Sequence, residues 1–117
     1  MSGISIHVVD VVRGMPARGM RVEVFRVEAS QRLKIASGTV GADGAVAHPI
    51  AAGTDVVAGV HEVQLATGSY YRDGSADVGE PAFQEVTLFR FTVVDPREHY
   101  HLPIKLSPWG LSIWRGR

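Results

Sequence analysis

Between Met20 and Glu28 the chain alternates apolar and charged side chains almost perfectly, and this period of two is the strongest constraint on its fold. Side chains of a strand point to opposite faces in turn, so such a run describes a strand with one dry face and one wet face. Val60 to Ala66 repeats the pattern, and Ile4 to Val12 and Leu33 to Val40 are rich in β-branched residues. Phe83 to Val94, Tyr100 to Leu106 and Leu111 to Trp114 add further strands, with Ala45 to Ile50 as a short extra one. Turn signals separate them: Arg13-Gly14-Met15-Pro16, Gly41-Ala42-Asp43-Gly44, Asp95-Pro96 and Ser107-Pro108-Trp109-Gly110. Tyr70 to Ala82, with Gly74, Gly79 and Pro81, reads as a loop holding at most one short helical turn. The expectation is an all-β chain, a two-sheet β-sandwich of seven to eight strands, forming a single domain over residues 1–117.

Composition narrows the function classes. Twelve basic and 12 acidic residues cancel, so no charge imbalance points to nucleic acid or to an acidic membrane. The absence of cysteine excludes disulfides, thiolate nucleophiles and cysteine-ligated zinc. No basic stretch followed by an apolar run opens the chain, and no apolar run approaches the ~18 residues that cross a bilayer. A soluble, cytoplasmic protein is expected.

Histidine carries the chemistry. His99 and His101 lie two apart and therefore share a strand face, along with Pro103. His7 lies on the face of Ser5 and Val9, opposite Ile6 and Val8. Imidazoles titrate near neutrality and suit acid–base catalysis, although a solvated strand face is the commoner fate of a single histidine. Three imidazoles could also hold zinc, but no carboxylate at a diagnostic spacing supports a metal, and none is expected. Trp109 and Trp114 read as packing or interface residues. Arg115 and Arg117, around Gly116, are either a frayed basic tail or, if tied down, a polar cluster for a carbonyl-rich ligand. Phosphate loops, nucleophile elbows and EF-hands are missing from the sequence.

Taken in order, these segments resemble the transthyretin-like 5-hydroxyisourate hydrolases. Ser5-Ile6-His7-Val8-Val9-Asp10, Gly14-Met15-Pro16-Ala17 and Gly19-Met20-Arg21-Val22-Glu23-Val24 are similar to the family's opening. Thr67-Gly68-Ser69-Tyr70-Tyr71 and Phe83-Gln84-Glu85-Val86 follow, and Glu98-His99-Tyr100-His101-Leu102-Pro103 through Leu106-Ser107-Pro108 resembles its most specific motif. The resemblance implies an eight-stranded sandwich assembled as a homotetramer with clefts between subunits. It also implies a cofactor-free hydrolase that opens a lactam ring in urate degradation. By the same resemblance His7 and His101 are the catalytic pair, activating water and moving protons. His99, Trp114, Arg115, Gly116 and Arg117 are expected to face substrate.

Two departures stand out. The family places an arginine after its Asp-Gly turn, whereas Ala45 follows Asp43-Gly44 here, and His48 falls on the opposite parity from Ala45. Family members end Tyr-Arg-Gly-Ser, and this sequence reads Trp114-Arg115-Gly116-Arg117. A diverged enzyme acting on another cyclic substrate is therefore the alternative. A non-catalytic carrier is the third reading, opposed by the retained His7 and His101.

Overall fold

The computed structural model describes residues 2–116. Eight strands and one α-helix follow in the order β1 (Gly3–Asp10), β2 (Met15–Pro16), β3 (Arg21–Glu28), β4 (Gln31–Thr39), β5 (Gly59–Leu65), α1 (Thr67–Asp73), β6 (Thr87–Val93), β7 (His99–Ser107) and β8 (Gly110–Ile113), with a short 3-10 helix at Gly53–Asp55 between β4 and β5. They form two four-stranded sheets, ordered β2-β1-β7-β8 and β4-β3-β5-β6. The sandwich expected from the period of two is present. Its inner faces carry Ile4, Ile6 and Val8 of β1, Tyr100, Leu102, Ile104 and Leu106 of β7, and Val22, Val24, Val63 and Leu65 opposite, all buried.

The alternation slips once in β3, between Val24 and Phe25, where the sequence sets two apolar residues side by side. The structure places a register shift against β4 there, and the pattern resumes beyond it. β1 and β7, the first and penultimate strands, pair in parallel along their length, with Ser5 opposite His101 and His7 opposite Pro103. Antiparallel neighbours account for every other strand pair. Putting Ile4, Ile6 and Val8 inward leaves Ser5, His7 and Val9 outward, beside His99, His101, Pro103 and Lys105.

Met15–Pro16, read as part of a turn, forms the short strand β2, and β6 begins at Thr87 rather than at Phe83. Two larger differences follow. Residues 45–50 are not a strand: they meet β1 at isolated bridges, Ala45–His7 and Ala51–Ile4, with single backbone bonds from the Val46 N–H to the Ile6 carbonyl and from the Ile50 N–H to the Ile4 carbonyl between them. Three steps of β1 are thus matched against six of the partner, so the segment bulges between its two anchor points. Second, a seven-residue helix begins at Thr67, ahead of the predicted loop. Tertiary contacts explain it better than propensity does. Tyr71 is buried and donates its hydroxyl to Asp10 Oδ1 (3.0 Å) and to the Leu106 carbonyl (3.1 Å), while Tyr70 donates to Asp10 Oδ2 (2.9 Å). Burial and the adjacent Asp10 carboxylate push the Tyr70 phenol up to about 12. On the far side of the helix, Arg72 pairs with Glu85, whose carboxyl that contact holds down at about 2.

Candidate active site

The outer face of the β2-β1-β7-β8 sheet carries a cluster of four imidazoles. His99 and His101 come from β7 and His7 from β1, as alternation predicts. Between them lies Ser5, 1% exposed, whose Oγ is 2.7 Å from His99 Nε2 and 2.7 Å from His101 Nδ1. The other nitrogen of His99, Nδ1, faces the Ser2 carbonyl at 3.3 Å. His7 Nε2 lies 2.8 Å from the Asp43 carbonyl. A carbonyl only accepts, so His7 donates from Nε2 and its Nδ1 is left as the lone-pair nitrogen of the neutral ring.

The Asp43-Gly44 turn is built around His7. Gly44 takes φ +91°, and a Cβ there would lie 2.5 Å from His7 Nε2, so backbone and imidazole occupy the space a side chain would need. The Asp43 carboxylate accepts the Ala45 N–H at 3.0 Å, which tightens the turn. Ala45 itself bridges His7 across the two segments.

His48 is the residue that parity assigned to the wrong side. Because residues 45–51 bulge, the alternation fails after Ala45, and the His48 ring packs edge-on against His99 at 5.7 Å between centroids. Only a partner register could have revealed this. Alternation places Ser5 on the face of His7, but nothing in the sequence pattern marks it as the bridge between two imidazoles. Burial pushes the His101 imidazole below its usual pKa, and the nearby His99, His7 and His48 rings lower it further. These effects favour the neutral form of His101 near neutral pH.

The expected substrate-facing residues of the last segment divide. Gly116 closes on His101: its N–H donates to the His101 carbonyl at 2.7 Å, and a Cβ would meet His101 Cδ2 at 3.1 Å and Pro103 Cγ at 2.9 Å. Trp114 lies further along the outer face, with Lys105 Nζ 5.8 Å from its ring centroid. Arg115 turns to the opposite face. Its guanidinium stacks 4.0 Å from the Tyr100 ring centroid and donates to Glu98 Oε1 (3.0 Å) and to the His99 carbonyl (3.2 Å). Within one chain it steadies the start of β7 rather than joining the histidines. Arg117 lies outside the described residues. Among the described residues, no group of three or more His, Cys, Asp or Glu side chains is arranged to hold a metal ion, and no helix is long and apolar enough to cross a membrane.

The profile of the HIUase/Transthyretin family matches residues 4–116, nearly the whole chain and both strands that carry the histidines. The chain belongs to that family. Among its relatives, 5-hydroxyisourate hydrolase 2 of Rhizobium meliloti is 34% identical over 97% of this chain and 94% of its own length. The 5-hydroxyisourate hydrolase of Pseudomonas aeruginosa is 34% identical over 99% of this chain and 92% of its own. Among solved structures, an (S)-allantoin synthase superposes with TM-score 0.89 at 26% identity, covering 98% of this chain but 43% of the other. Klebsiella pneumoniae 5-hydroxyisourate hydrolase matches the fold at TM-score 0.81 and 24% identity, over 99% of this chain and 100% of its own. Among HIUase/Transthyretin features expected from the sequence, the histidine pair shares one face here, and the arginine after the Asp-Gly turn is replaced by an alanine beside His7.

Proposed function

We propose that this chain hydrolyses 5-hydroxyisourate, opening its lactam ring without a cofactor. The observation that carries the reading is the placement of His7 and His101 on one outer sheet face, each with one nitrogen engaged by a defined partner. Names borne by full-length relatives point to the same reaction. His101, kept neutral, takes a proton from water as the oxygen attacks the lactam carbonyl carbon. The carbon–nitrogen bond then breaks, and the proton returns to the departing nitrogen through an imidazole of the pair. His99, Gly116 and Trp114 would wall the substrate on this face.

A homotetramer accords with the surface. Edge strands β6 and β8 carry Leu88 (50% exposed) and Leu111 (38%), with Trp109 (64%) and Trp114 (43%) close by. Exposed apolar edges of this kind call for a partner copy. In such an assembly a neighbouring subunit would cover the histidine face and exclude water from it. The compartment we expect is the cytoplasm.

Ala45 favours a second reading, a diverged enzyme on another cyclic substrate, because the small side chain beside His7 removes a cation that would hold a developing oxyanion. Freshly generated 5-hydroxyisourate, followed by its ultraviolet decay, separates the two. Turnover that His7→Asn and His101→Asn each abolish supports the hydrolase. No turnover by the unmodified protein refutes it and leaves the second reading.

A further inference from the structure

The buried hydroxyl between the two β7 histidines has a donor–acceptor logic with one solution while His99 is neutral. The Ser2 carbonyl can only accept, so a neutral His99 must donate to it from Nδ1, which leaves His99 Nε2 a bare acceptor. Ser5 Oγ, 2.7 Å from that nitrogen, then has to donate its single proton to it. Having given its proton to His99, Ser5 can only accept from His101, so His101 Nδ1 carries a hydrogen. The second nitrogen of His101, Nε2, is left with its lone pair. The order is therefore His101 Nδ1–H to Ser5 Oγ–H to His99 Nε2, and His99 Nδ1–H to the Ser2 carbonyl. The chain of bonds runs the other way only when His99 is doubly protonated, and His101 then carries its hydrogen on Nε2 and stops being a base.

We propose that Ser5 is a positioning residue that fixes the tautomer of His101, presenting Nε2 as a lone-pair base and making the state of His99 decide whether His101 can act. The proposal deepens the hydrolase reading and rests on it for the identity of the base. The protonation pattern itself does not depend on any substrate. Ser5 suits the task because it is almost fully buried, so water does not compete for its hydrogen bonds. Its place on β1 opposite His101 on β7 fixes the register that brings the three groups together. Gly116 bonds back to the His101 carbonyl and lies so close that a Cβ there would meet His101 Cδ2 at 3.1 Å, so any larger residue at that position would press on the ring.

The test is nitrogen NMR of the full chain with labelled histidine, recorded above the imidazole titration range, together with kinetics on 5-hydroxyisourate. In the unmodified protein His101 should show a protonated Nδ1 and a bare Nε2, and His99 likewise a protonated Nδ1. Ser5→Ala should shift His101 toward the Nε2–H form and lower kcat by about ten- to a hundredfold, the scale seen when an imidazole loses the second hydrogen bond that orients it, with KM little changed. Ser5→Thr, which keeps a hydroxyl, should restore both. A bare Nδ1 on His101 in the unmodified protein overturns the proposal, as does a Ser5→Ala protein with unaltered tautomer and kcat. If Ser5→Ala does not fold, the spectrum of the unmodified protein decides alone. Absence of turnover with the protonation pattern intact refutes the substrate and leaves the role of Ser5 standing.

Discussion

Replacing Gly44 by alanine should disable the site at a modest cost in stability. The structure supplies both parts of the effect. Gly44 has φ +91°, and an alanine held there strains the backbone by about 1–3 kcal/mol. Its new Cβ would lie 2.5 Å from His7 Nε2 and 2.8 Å from Cε1, against an ordinary contact distance of ~3.5 Å or more. The imidazole has to retreat by about 1 Å, and a misplacement of that size costs on the order of a hundredfold in rate. That retreat also breaks the bond from His7 Nε2 to the Asp43 carbonyl. Gly53 is the control. It also has positive φ (+64°), but no atom lies within 4 Å of a Cβ built there, so Gly53→Ala pays the backbone cost alone. Initial rates on 5-hydroxyisourate and urea midpoints would be measured for both. Both midpoints should fall, whereas kcat should fall about a hundredfold for Gly44→Ala only. Unchanged kcat in a folded Gly44→Ala protein would show that the turn does not set the position of His7.

Asp10→Ala removes a buried carboxylate that accepts from Tyr70, Tyr71 and the Val12 and Arg13 N–H groups, and only Tyr71 keeps a second acceptor. A loss of about 3–5 kcal/mol and a melting temperature lowered by more than about 10 °C are expected by calorimetry. His101 and the buried His61 both have depressed pKa values in the fold, so the unfolded chain binds protons first as pH falls. Their contribution to stability is complete above the unfolded value of about 6.5 and is lost as pH drops from there through the folded values, which urea midpoints between about pH 8 and 5 will show. Ala45 is the cross-strand neighbour of His7, so Ala45→Arg should raise turnover of 5-hydroxyisourate by about tenfold or more, and a decrease would favour another substrate. Activity should survive dialysis against a strong chelator; zinc-restored loss would reinstate a metal.

What the sequence made legible follows from which interactions are local. Strand identity and facing were readable because Ile4, Ile6 and Val8 must be buried together, which turns Ser5 and His7 outward whatever strand lies alongside. The same parity argument places His99 and His101. The partner was not readable: periodicity does not say that β1 pairs with β7, nor that Ser5 stands level with His101. His48 was misassigned because residues 45–51 meet β1 through isolated bridges and single backbone bonds, and a parity argument needs a continuous ladder. The helix at Thr67–Asp73 was underestimated for a related reason. It is held by Asp10 at one side and Glu85 at the other, and neither contact is local. Arg115 looked like a ligand-facing cation, yet one residue of alternation separates it from Gly116 and sends it to Tyr100.

The parallel pairing of β1 with β7 also bears on how the protein is made. The contacts of Ser5 with His99 and His101 span 94 and 96 positions of the chain. The first strand leaves the ribosome long before its companion exists, and until then only the short β2 and the 45–51 segment can lie along β1. Long-range pairing of this kind is slow to form, because a large loop must close before any contact rewards it. The sheet that carries the histidines is thus the last to be completed during synthesis. By the time His99 is added, every strand of the other sheet has been synthesised, whereas β7, with both of its histidines, has not.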